Sequence, residues 1–272
     1  MSEAAIGIFD SGVGGLTVFN AIAQSLPNEQ LIYLGDSARV PYGTKTAASV
    51  RQYAQQASNA LVNQGIKMLV IACNTATANA LEHLQALYAP LPVIGVIEPG
   101  AQLASITSQK RHIGVIATEG TVQGKAYDQA LLAKDPELQL SSQACSLFVA
   151  LAEDGWVQGP LVERVIEHYL LPIFPKHQSN WPDTLVLGCT HFPLLKQAIG
   201  NVLGESVQLI DSAQAVASEV KQQLIKHGLR SQAQSPGQQR FLVTDGPERF
   251  ARLGSFFLGR PLSQDCIQVV DL

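Results

Sequence analysis

Two cysteines of the sequence stand between a short apolar run and a pair of polar residues. Cys73 follows "LVIA" and precedes Asn-Thr, and Cys189 follows "LVLG" and precedes Thr-His. If the polar residues begin helices, the unpaired backbone N–H groups of the first turn stabilise a thiolate. Two such groups could act as acid and base on opposite sides of one small molecule.

Other residues near these runs could assist a proton transfer. His191 lies two residues after Cys189 and could act on a proton or on the thiolate. Asp10 ends the first apolar run in "FDSGVGG", where backbone N–H groups of the Ser-Gly loop would suit a carboxylate. The glycines depart from the dinucleotide pattern G-x-G-x-x-G, so we do not expect a nucleotide. Zinc would need further ligands at recognisable spacings, and we predict no metal site.

Each of these residues also has an ordinary structural interpretation. A single cysteine after a strand is most often a small buried hydrophobe, and we interpret Cys145 and Cys266 in this way because they lack the same context. Glu153 in "LAEDG" is by default part of an exposed acidic turn. The segment "VPYGTKT" (40–46) is a turn-forming loop that could lie over a site.

The elements that must position these residues alternate along the chain. Apolar runs of strand length are separated by longer amphipathic stretches, which indicates a parallel sheet covered by helices. The runs are "IGIF", "LIYLGD", "MLVIAC", "PVIGVI", "HIGVIA", "LVLGCT", "VQLID" and "FLVTD". Ligands of such sheets bind beyond the carboxyl ends of the strands. This rule marks the two cysteines and Asp10, and also Asp36 and Thr118, which follow further runs.

The two halves of the sequence echo each other. "AIGIFDSGVGG" resembles "HIGVIATEGTV", and "KMLVIACNTATANAL" resembles "DTLVLGCTHFPLLK". We predict an α/β protein of two pseudo-symmetric, doubly wound parallel-sheet domains with the active site in the cleft between them. Residues 1–97 with 210–272 form the first domain, which supplies Cys73, and residues 98–209 form the second, which supplies Cys189.

Composition limits the classes of partner. The 272 residues are 46% hydrophobic and 15% charged, with a net charge of −4 and no basic run, so we expect no nucleic acid partner. No apolar run reaches the roughly 20 residues that span a bilayer, and no leader is visible. We therefore expect a cytoplasmic protein with no membrane partner and with its cysteines as thiols. A homodimer is compatible with these features.

Six motifs in order resemble one known family. With "FDSGVGG", "GDSARVPYG", "ACNTATA", "GVIEPGA", "LAEDGW" and "LGCTHFPLL", the chain resembles the bacterial glutamate racemases of the cofactor-independent aspartate/glutamate racemase superfamily. The resemblance implies interconversion of L- and D-glutamate, which supplies D-glutamate for peptidoglycan. It also implies that neither pyridoxal phosphate nor any other cofactor is needed.

The resemblance implies roles for individual residues. Cys73 would exchange a proton with D-glutamate and Cys189 with L-glutamate. Asp10 would assist Cys73, and His191 with Glu153 would assist Cys189. The positions that match the substrate-binding residues of the family are Asp10, Ser11, Pro41, Tyr42, Gly43, Asn74, Thr75, Thr118, Thr121, Thr190 and His191.

Alternatives remain at this stage. The nearest is a racemase of the same superfamily that acts on aspartate or another amino acid, because one methylene changes only the substrate pocket. Other classes are a non-catalytic ligand-binding protein, which needs no paired thiols, and a redox protein with a reversible Cys73–Cys189 disulfide. A pyridoxal enzyme would need a lysine at a strand end, where the sequence offers no obvious candidate.

Overall fold

The chain divides into two compact units. The structure, a computed structural model, describes residues 3–175 and 180–272. The first unit comprises Met1–Val96 and Ala213–Leu272, and the second comprises Ile97–Ser212. The sequence-based boundaries lie after residues 97 and 209. The second boundary differs because the strand that begins at Gln208 continues to Asp211 and pairs within the second unit.

The described residues form ten β-strands and eleven α-helices. The strands are β1 (Ile6–Asp10), β2 (Leu31–Gly35), β3 (Met68–Ile71), β4 (Val93–Gly95), β5 (His112–Ala117), β6 (Gln139–Ala144), β7 (Thr184–Gly188), β8 (Gln208–Asp211), β9 (Gln239–Val243) and β10 (Ile267–Val269). The helices are α1 (Leu16–Ser25), α2 (Ala47–Val62), α3 (Asn74–Tyr88), α4 (Ile97–Thr107), α5 (Glu119–Gln123), α6 (Ala126–Lys134), α7 (Leu147–Glu153), α8 (Pro160–Leu170), α9 (Lys196–Leu203), α10 (Ala213–Lys226) and α11 (Pro247–Leu258). Short 3₁₀ helices cover Tyr42–Thr44, Phe192–Leu195 and Gln264–Cys266.

The first unit is built on a six-stranded parallel sheet. Its strand order is β10-β9-β2-β1-β3-β4, so the chain reverses its direction of winding at β1. Phe9 pairs with Ile71, and the next residue along each strand is Asp10 and Ala72. The register therefore places Asp10 level with Ala72, one residue before Cys73, at the carboxyl edge, the place where doubly wound sheets bind ligands.

The second unit repeats this order on four parallel strands. The order is β6-β5-β7-β8, which matches β2-β1-β3-β4 of the first sheet strand for strand. Ala117 pairs with Gly188, so Thr118 and Cys189 leave neighbouring strands together. Cys189 is thus the topological counterpart of Cys73, which is what an internal duplication predicts.

Each unit has a hydrophobic core of its own. In the first unit, β-branched and leucine side chains of the sheet pack against α2 and α3, and Phe9, Leu69 and Leu84 are fully buried there. In the second, Phe148 and Ile166 pack from α7 and α8 onto β5 and β7. Strands buried on both faces carry near-continuous apolar sequence. The predicted α/β class with parallel sheets is confirmed.

Two strands lack the apolar runs by which the sequence analysis predicted the others. β6 has the polar sequence QLSSQA and lies at an edge of its sheet, where side chains are only partly covered. β10 has three residues and lies at the edge of the first sheet. Edge strands need no apolar run, because water reaches much of their surface. Among the described residues, no helix combines the length and the apolar character needed to cross a bilayer.

Candidate active site

In the first unit, Cys73 stands between β3 and α3. It is the N-cap of α3, and its Sγ accepts a hydrogen bond from the Ala76 backbone N–H at 3.4 Å. The Cys73 thiol also lies 3.6 Å from Ser11 Oγ, to which it donates. The sulfur is almost fully enclosed, with 5% of the residue exposed. The predicted helix N-terminus is present, and its backbone N–H groups favour a thiolate at Cys73.

We call the polar residues at the carboxyl edge of the first sheet the Cys73 half-site, and those at the carboxyl edge of the second sheet the Cys189 half-site. Asp10 is the acidic residue of the first. It ends β1, is completely buried, and accepts a hydrogen bond on Oδ2 from the Gly12 backbone N–H at 3.0 Å. The close approach of the following turn requires a glycine: a Cβ added to Gly15 would lie 2.5 Å from Asp10 Cβ and 3.0 Å from Ala72 Cβ. The loop therefore holds Asp10 in one place beside the strand that leads to Cys73.

The other residues predicted in this unit lie on the same edge. Ser11, Asn74 and Thr75 are buried, and the last two form the first turn of α3. Pro41 is the N-cap of the 3₁₀ helix that contains Tyr42 and Gly43. These residues offer hydroxyl, amide and backbone N–H groups, the donors that a dicarboxylate needs.

Tyr42 differs from the expectation in one respect. Its hydroxyl donates a hydrogen bond to Asp36 Oδ2, so the phenol group is occupied inside the protein. Burial, and next the charge of Asp36, raise the pKa of Tyr42 far above its ordinary value, which keeps it a neutral donor. Tyr42 and Gly43 can then serve a ligand through their backbone N–H groups, whereas Pro41 has none and shapes the loop.

In the second unit, Cys189 lies in a turn rather than at a helix N-terminus. It follows β7, and the 3₁₀ helix Phe192–Leu195 begins after His191. Its Sγ lies 3.8 Å from His191 Nδ1, and His191 Nε2 lies 3.1 Å from Glu153 Oε1. The imidazole is buried. The expected capping helix is therefore replaced by a chain of thiol, imidazole and carboxylate.

Glu153 belongs to this chain although its sequence context indicates an exposed turn. It is the last residue of α7, and its side chain is only 15% exposed. Phe148 of the same helix packs edge-on against Phe192, with ring centroids 5.3 Å apart. This contact packs α7 against the turn that carries His191. The interpretation of Glu153 as an exposed turn residue is wrong, because its side chain contacts the buried His191, 38 positions along the chain.

The environment of His191 favours its protonated form. Burial lowers its pKa, but the hydrogen bonds to Cys189 and Glu153, and the negative charges of these groups, raise it to about 10 in total. At neutral pH the ring is then an imidazolium that donates to both neighbours. This positive charge lies 3.8 Å from Cys189 Sγ, measured from His191 Nδ1.

The three threonines predicted in the second unit also lie at its carboxyl edge. Thr118 is the N-cap residue of α5, and its Oγ1 lies 3.1 Å from Thr121 Oγ1. Thr121 and Thr190 are buried, the latter next to Cys189. Within each unit, the structure thus brings the predicted residues to the same edge of the sheet as the cysteine.

The remaining cysteines have other surroundings. Cys145 is buried, and burial raises its pKa to about 12, so it remains a thiol. Cys266 is exposed on a 3₁₀ helix of the first unit. Within residues 3–175 and 180–272, no group of three or more His, Cys, Asp and Glu side chains is arranged to hold a metal ion.

Three residues near the cysteines were not predicted as part of the site. Asp36 anchors Tyr42 and also accepts from Arg39 Nε at 2.7 Å and Thr244 Oγ1 at 2.9 Å. Tyr33 donates to the Gly12 carbonyl at 2.8 Å. The Tyr127 ring lies beneath the turn of Cys189, since a Cβ on Gly188 would meet it at 2.9 Å. The rule on strand ends marks Asp36, but nothing local marks two tyrosines within apolar or helical sequence.

Comparison with known proteins gives consistent matches over the whole chain. The family model described as Asp/Glu/Hydantoin racemase matches residues 6–220. A glutamate racemase of Geobacter metallireducens is 46% identical over 269 residues, which cover 99% of this chain and 97% of that protein.

Two solved structures are similar throughout. The glutamate racemase of Francisella tularensis in complex with D-glutamate has a TM-score of 0.91 and 36% identity, and the match covers 100% of this chain and 98% of that one. The glutamate racemase isoform RacE1 of Bacillus anthracis has a TM-score of 0.93 and 38% identity, with coverage of 100% and 99%.

Proposed function

The chain belongs to the glutamate racemases, a family of isomerases within the Asp/Glu/hydantoin racemases, and from this membership we propose that it interconverts L- and D-glutamate with two cysteines as the acid and base. In this proposal no cofactor takes part, and the product D-glutamate supplies peptidoglycan synthesis. The substrate is a small dicarboxylic amino acid, as the D-glutamate complex of the Francisella relative supports.

The observation that carries the proposal is an arrangement that occurs in both units. In each, a buried cysteine follows the strand next to the central one, β3 beside β1 and β7 beside β5. In each, a second polar group accompanies the sulfur: Ser11 Oγ at 3.6 Å from Cys73, and His191 Nδ1 at 3.8 Å from Cys189. A ligand-binding module would need neither thiol. Paired thiols with such neighbours are what a two-base reaction requires.

The chemistry explains why two thiols are needed. The Cα–H of an amino acid is a very weak acid, and inversion requires that a proton leaves one face while another arrives on the opposite face. We assign Cys73 to the face of D-glutamate and Cys189 to that of L-glutamate. Whichever thiolate removes the proton, the other cysteine must be protonated in order to donate. After each turnover the protonation states of the two cysteines are exchanged.

The groups beside each cysteine support its thiolate and thiol states. The α3 N-terminus stabilises a Cys73 thiolate through the Ala76 N–H. We assign to the Asp10 carboxylate, at the same edge of the sheet, the role of proton acceptor for the Cys73 thiol. The His191 imidazolium stabilises a Cys189 thiolate, and Glu153 holds the ring in position. Both sulfurs are shielded from water by burial, which strengthens each of these electrostatic interactions.

The polar groups of the two edges can hold the substrate. In our proposal the backbone N–H groups of Tyr42 and Gly43 and the hydroxyl groups at these edges bind its carboxylates and ammonium. Donors directed at the α-carboxylate also stabilise the charge that develops when the Cα proton leaves. The groups assigned to binding are those of Ser11, Asn74, Thr75, Thr118, Thr121 and Thr190, all of them in half-sites described above.

The test is circular dichroism of L-glutamate and of D-glutamate with the purified protein in deuterated water, without pyridoxal phosphate. We expect both signals to decay to zero with deuterium incorporated at Cα, and we expect Cys73→Ala and Cys189→Ala each to abolish inversion. Cys145→Ala serves as the matched control, because its buried thiol lies outside the proposed chemistry, and it should retain activity.

Each other outcome has a definite meaning. Decay of the circular dichroism signal of aspartate but not of glutamate would identify aspartate as the substrate and leave the proposed mechanism unchanged. Exchange with neither amino acid would contradict racemase activity. Activity that survives loss of either cysteine would contradict the two-thiol mechanism.

A further inference from the structure

A buried tyrosine hydroxyl is joined to the Cys73 half-site through one turn of the backbone. Tyr33 lies in the middle of β2 and is fully buried, and its hydroxyl donates to the Gly12 carbonyl at 2.8 Å. The N–H of the same glycine donates to Asp10 Oδ2 at 3.0 Å. The Gly12 carbonyl therefore accepts a hydrogen bond from Tyr33, and the Gly12 N–H donates one to Asp10.

The Gly12 carbonyl is confined from a second direction. A Cβ added to Gly35, two residues after Tyr33, would lie 2.5 Å from that oxygen. The backbone of β2 thus passes directly beneath the turn, and only a glycine leaves room for it. The Tyr33 ring is held by Phe19 and Phe250, whose ring centroids both lie 5.9 Å away. The position of the Gly12 carbonyl is therefore set by the β2 backbone and by a tightly packed aromatic ring.

We propose that Tyr33 is a positioning residue for the Cys73 half-site: its bond to the Gly12 carbonyl fixes the turn at Gly12, and with it the preceding Ser11–Gly12 peptide, whose N–H binds Asp10. This inference rests on the proposed function and goes beyond it, because it names the group that fixes the acid assisting one of the two proton transfers. The Tyr33 hydroxyl also forms a hydrogen bond with the backbone of Gly15, so Tyr33 acts on the turn from Gly12 to Gly15 and, through this turn, on Asp10.

The electrostatics of the hydroxyl agree with this role. Burial raises the pKa of Tyr33 well above its ordinary value, and the charges of Asp10 and Cys73 raise it further. The hydroxyl is therefore a neutral donor at neutral pH. It is close enough to sense both charged groups, yet its hydrogen bond goes to the backbone.

The variant Tyr33→Phe removes the hydroxyl and keeps the packed ring. It leaves the buried Gly12 carbonyl without this donor, and we expect kcat/KM to fall about tenfold. The two enantiomers have equal free energy in water, so kcat/KM must fall equally in both directions. The discriminating readout is instead the primary isotope effect on kcat/KM with glutamate deuterated at Cα.

Slower proton transfer at Cys73 changes the two isotope effects in opposite senses. The deprotonated intermediate then takes a proton from Cys73 less readily. With D-glutamate, whose Cα proton Cys73 removes, this step limits the rate more and the isotope effect rises. With L-glutamate, whose Cα proton Cys189 removes, the labelled step limits the rate less and the isotope effect falls. A general loss of folding or of substrate binding would leave the ratio of the two effects unchanged. Asp10→Asn should change the ratio in the same sense, and adding Tyr33→Phe to it should change the ratio little further.

Two further variants complete the test. Tyr88→Phe, which removes a hydroxyl that donates to the Gln55 carbonyl at 3.2 Å, is the matched control and should keep both rates and the ratio. Gly35→Ala displaces the same Gly12 carbonyl while Tyr33 is intact, and it should reproduce the change in ratio. It keeps the test decisive if Tyr33→Phe does not fold.

The outcomes separate this inference from the proposed function. Wild-type protein that inverts both enantiomers, together with an unchanged ratio in Tyr33→Phe, overturns the role of Tyr33 alone. An additive effect of Tyr33→Phe on top of Asp10→Asn overturns the route through Asp10. Wild-type protein that inverts neither enantiomer overturns the proposed function and this assignment together.

Discussion

At the scale of single residues, the two cysteines reach similar burial with different partners. Cys73 is stabilised by a helix N-terminus and lies beside a serine hydroxyl, whereas Cys189 is paired with an imidazole that a carboxylate holds. Backbone N–H groups act on a thiolate at any pH. An imidazole does so only while it is protonated, so the Cys189 half-site carries the stronger dependence on pH.

The first prediction concerns Glu153→Gln, which keeps a hydrogen-bonding side chain but removes its charge. Because Glu153 helps to raise the pKa of His191 to about 10, the variant should lose its imidazolium at lower pH. The alkaline limb of kcat/KM should move toward neutral pH. A profile measured from pH 6 to 11 checks this, with Glu163→Gln as the control, because Glu163 lies in the first turn of α8 and its partner is Asn201.

The same shift has a consequence for stability. The pKa of His191 is raised in the folded chain above its ordinary 6.5, so its contribution is complete below pH about 6.5 and is lost as pH rises toward about 10. Melting temperatures of the wild type should therefore fall across this window more than those of His191→Asn. Equal slopes, or an alkaline limb that stays in place in Glu153→Gln, would contradict the assigned environment.

At the scale of elements, the carboxyl edge of each sheet is assembled by strand order and tight turns. β1 lies between β2 and β3, so the residues after these strands converge although they are distant in sequence. The turn from β1 into α1 must then pass close to Asp10. Gly15 is the N-cap of α1, and it makes that close approach sterically feasible.

The second prediction follows from this turn. Gly15→Ala places a Cβ 2.5 Å from Asp10 Cβ, so either α1 or Asp10 must move. We expect a loss of about 1–3 kcal/mol in the free energy of unfolding. We also expect kcat/KM to fall at least about tenfold, because Asp10 is displaced from Cys73.

Gly200→Ala provides the matched control. Gly200 lies within α9, and the nearest atom to an added Cβ is Leu209 Cδ1 at 4.0 Å. This variant should gain about 0.5–1 kcal/mol through higher helix propensity and keep full activity. Urea unfolding and steady-state kinetics measure both variants. A Gly15→Ala protein with wild-type kinetics would show that Asp10 tolerates displacement.

At the scale of the whole chain, the last sixty residues return to the first unit and extend its sheet by β9 and β10. A buried ion pair at the amino edge of the sheet stabilises the contact between this returning segment and the first unit. Lys67 Nζ lies 2.6 Å from Glu29 Oε2, with 1% and 2% of the side chains exposed. Glu29 Oε1 also accepts from the Ser231 backbone N–H at 2.8 Å, which ties down the loop before β9.

The third prediction tests this pair. Lys67→Met leaves the Glu29 carboxylate buried without its cation, and we expect a loss of about 3–5 kcal/mol in the unfolding free energy of the first unit. The double variant Lys67→Met with Glu29→Leu should recover a large part of it. Lys134→Met is the control: its ion pair with Glu98 is partly exposed, and its loss should cost less than about 1 kcal/mol.

Urea unfolding followed by circular dichroism gives these values if each unit is resolved as its own transition. A loss below about 1 kcal/mol in Lys67→Met would contradict the role of the pair. Its activity at low temperature should stay near that of the wild type, because neither residue lies at the carboxyl edge that carries Cys73.

The sequence by itself determined the class of fold, the position of both cysteines after strands, and the family. It could do so because these are local properties: buried strands carry continuous apolar runs, and the residues after them are polar. Only the resemblance to the family paired His191 with Glu153, 38 positions away, and no pattern in the sequence shows that the Tyr42 hydroxyl is occupied by Asp36. Nor could the sequence show that Tyr33 supports Gly12 or that the polar run of β6 is a strand. Those contacts depend on which side chains packing brings within hydrogen-bonding distance, and only the tertiary structure decides that.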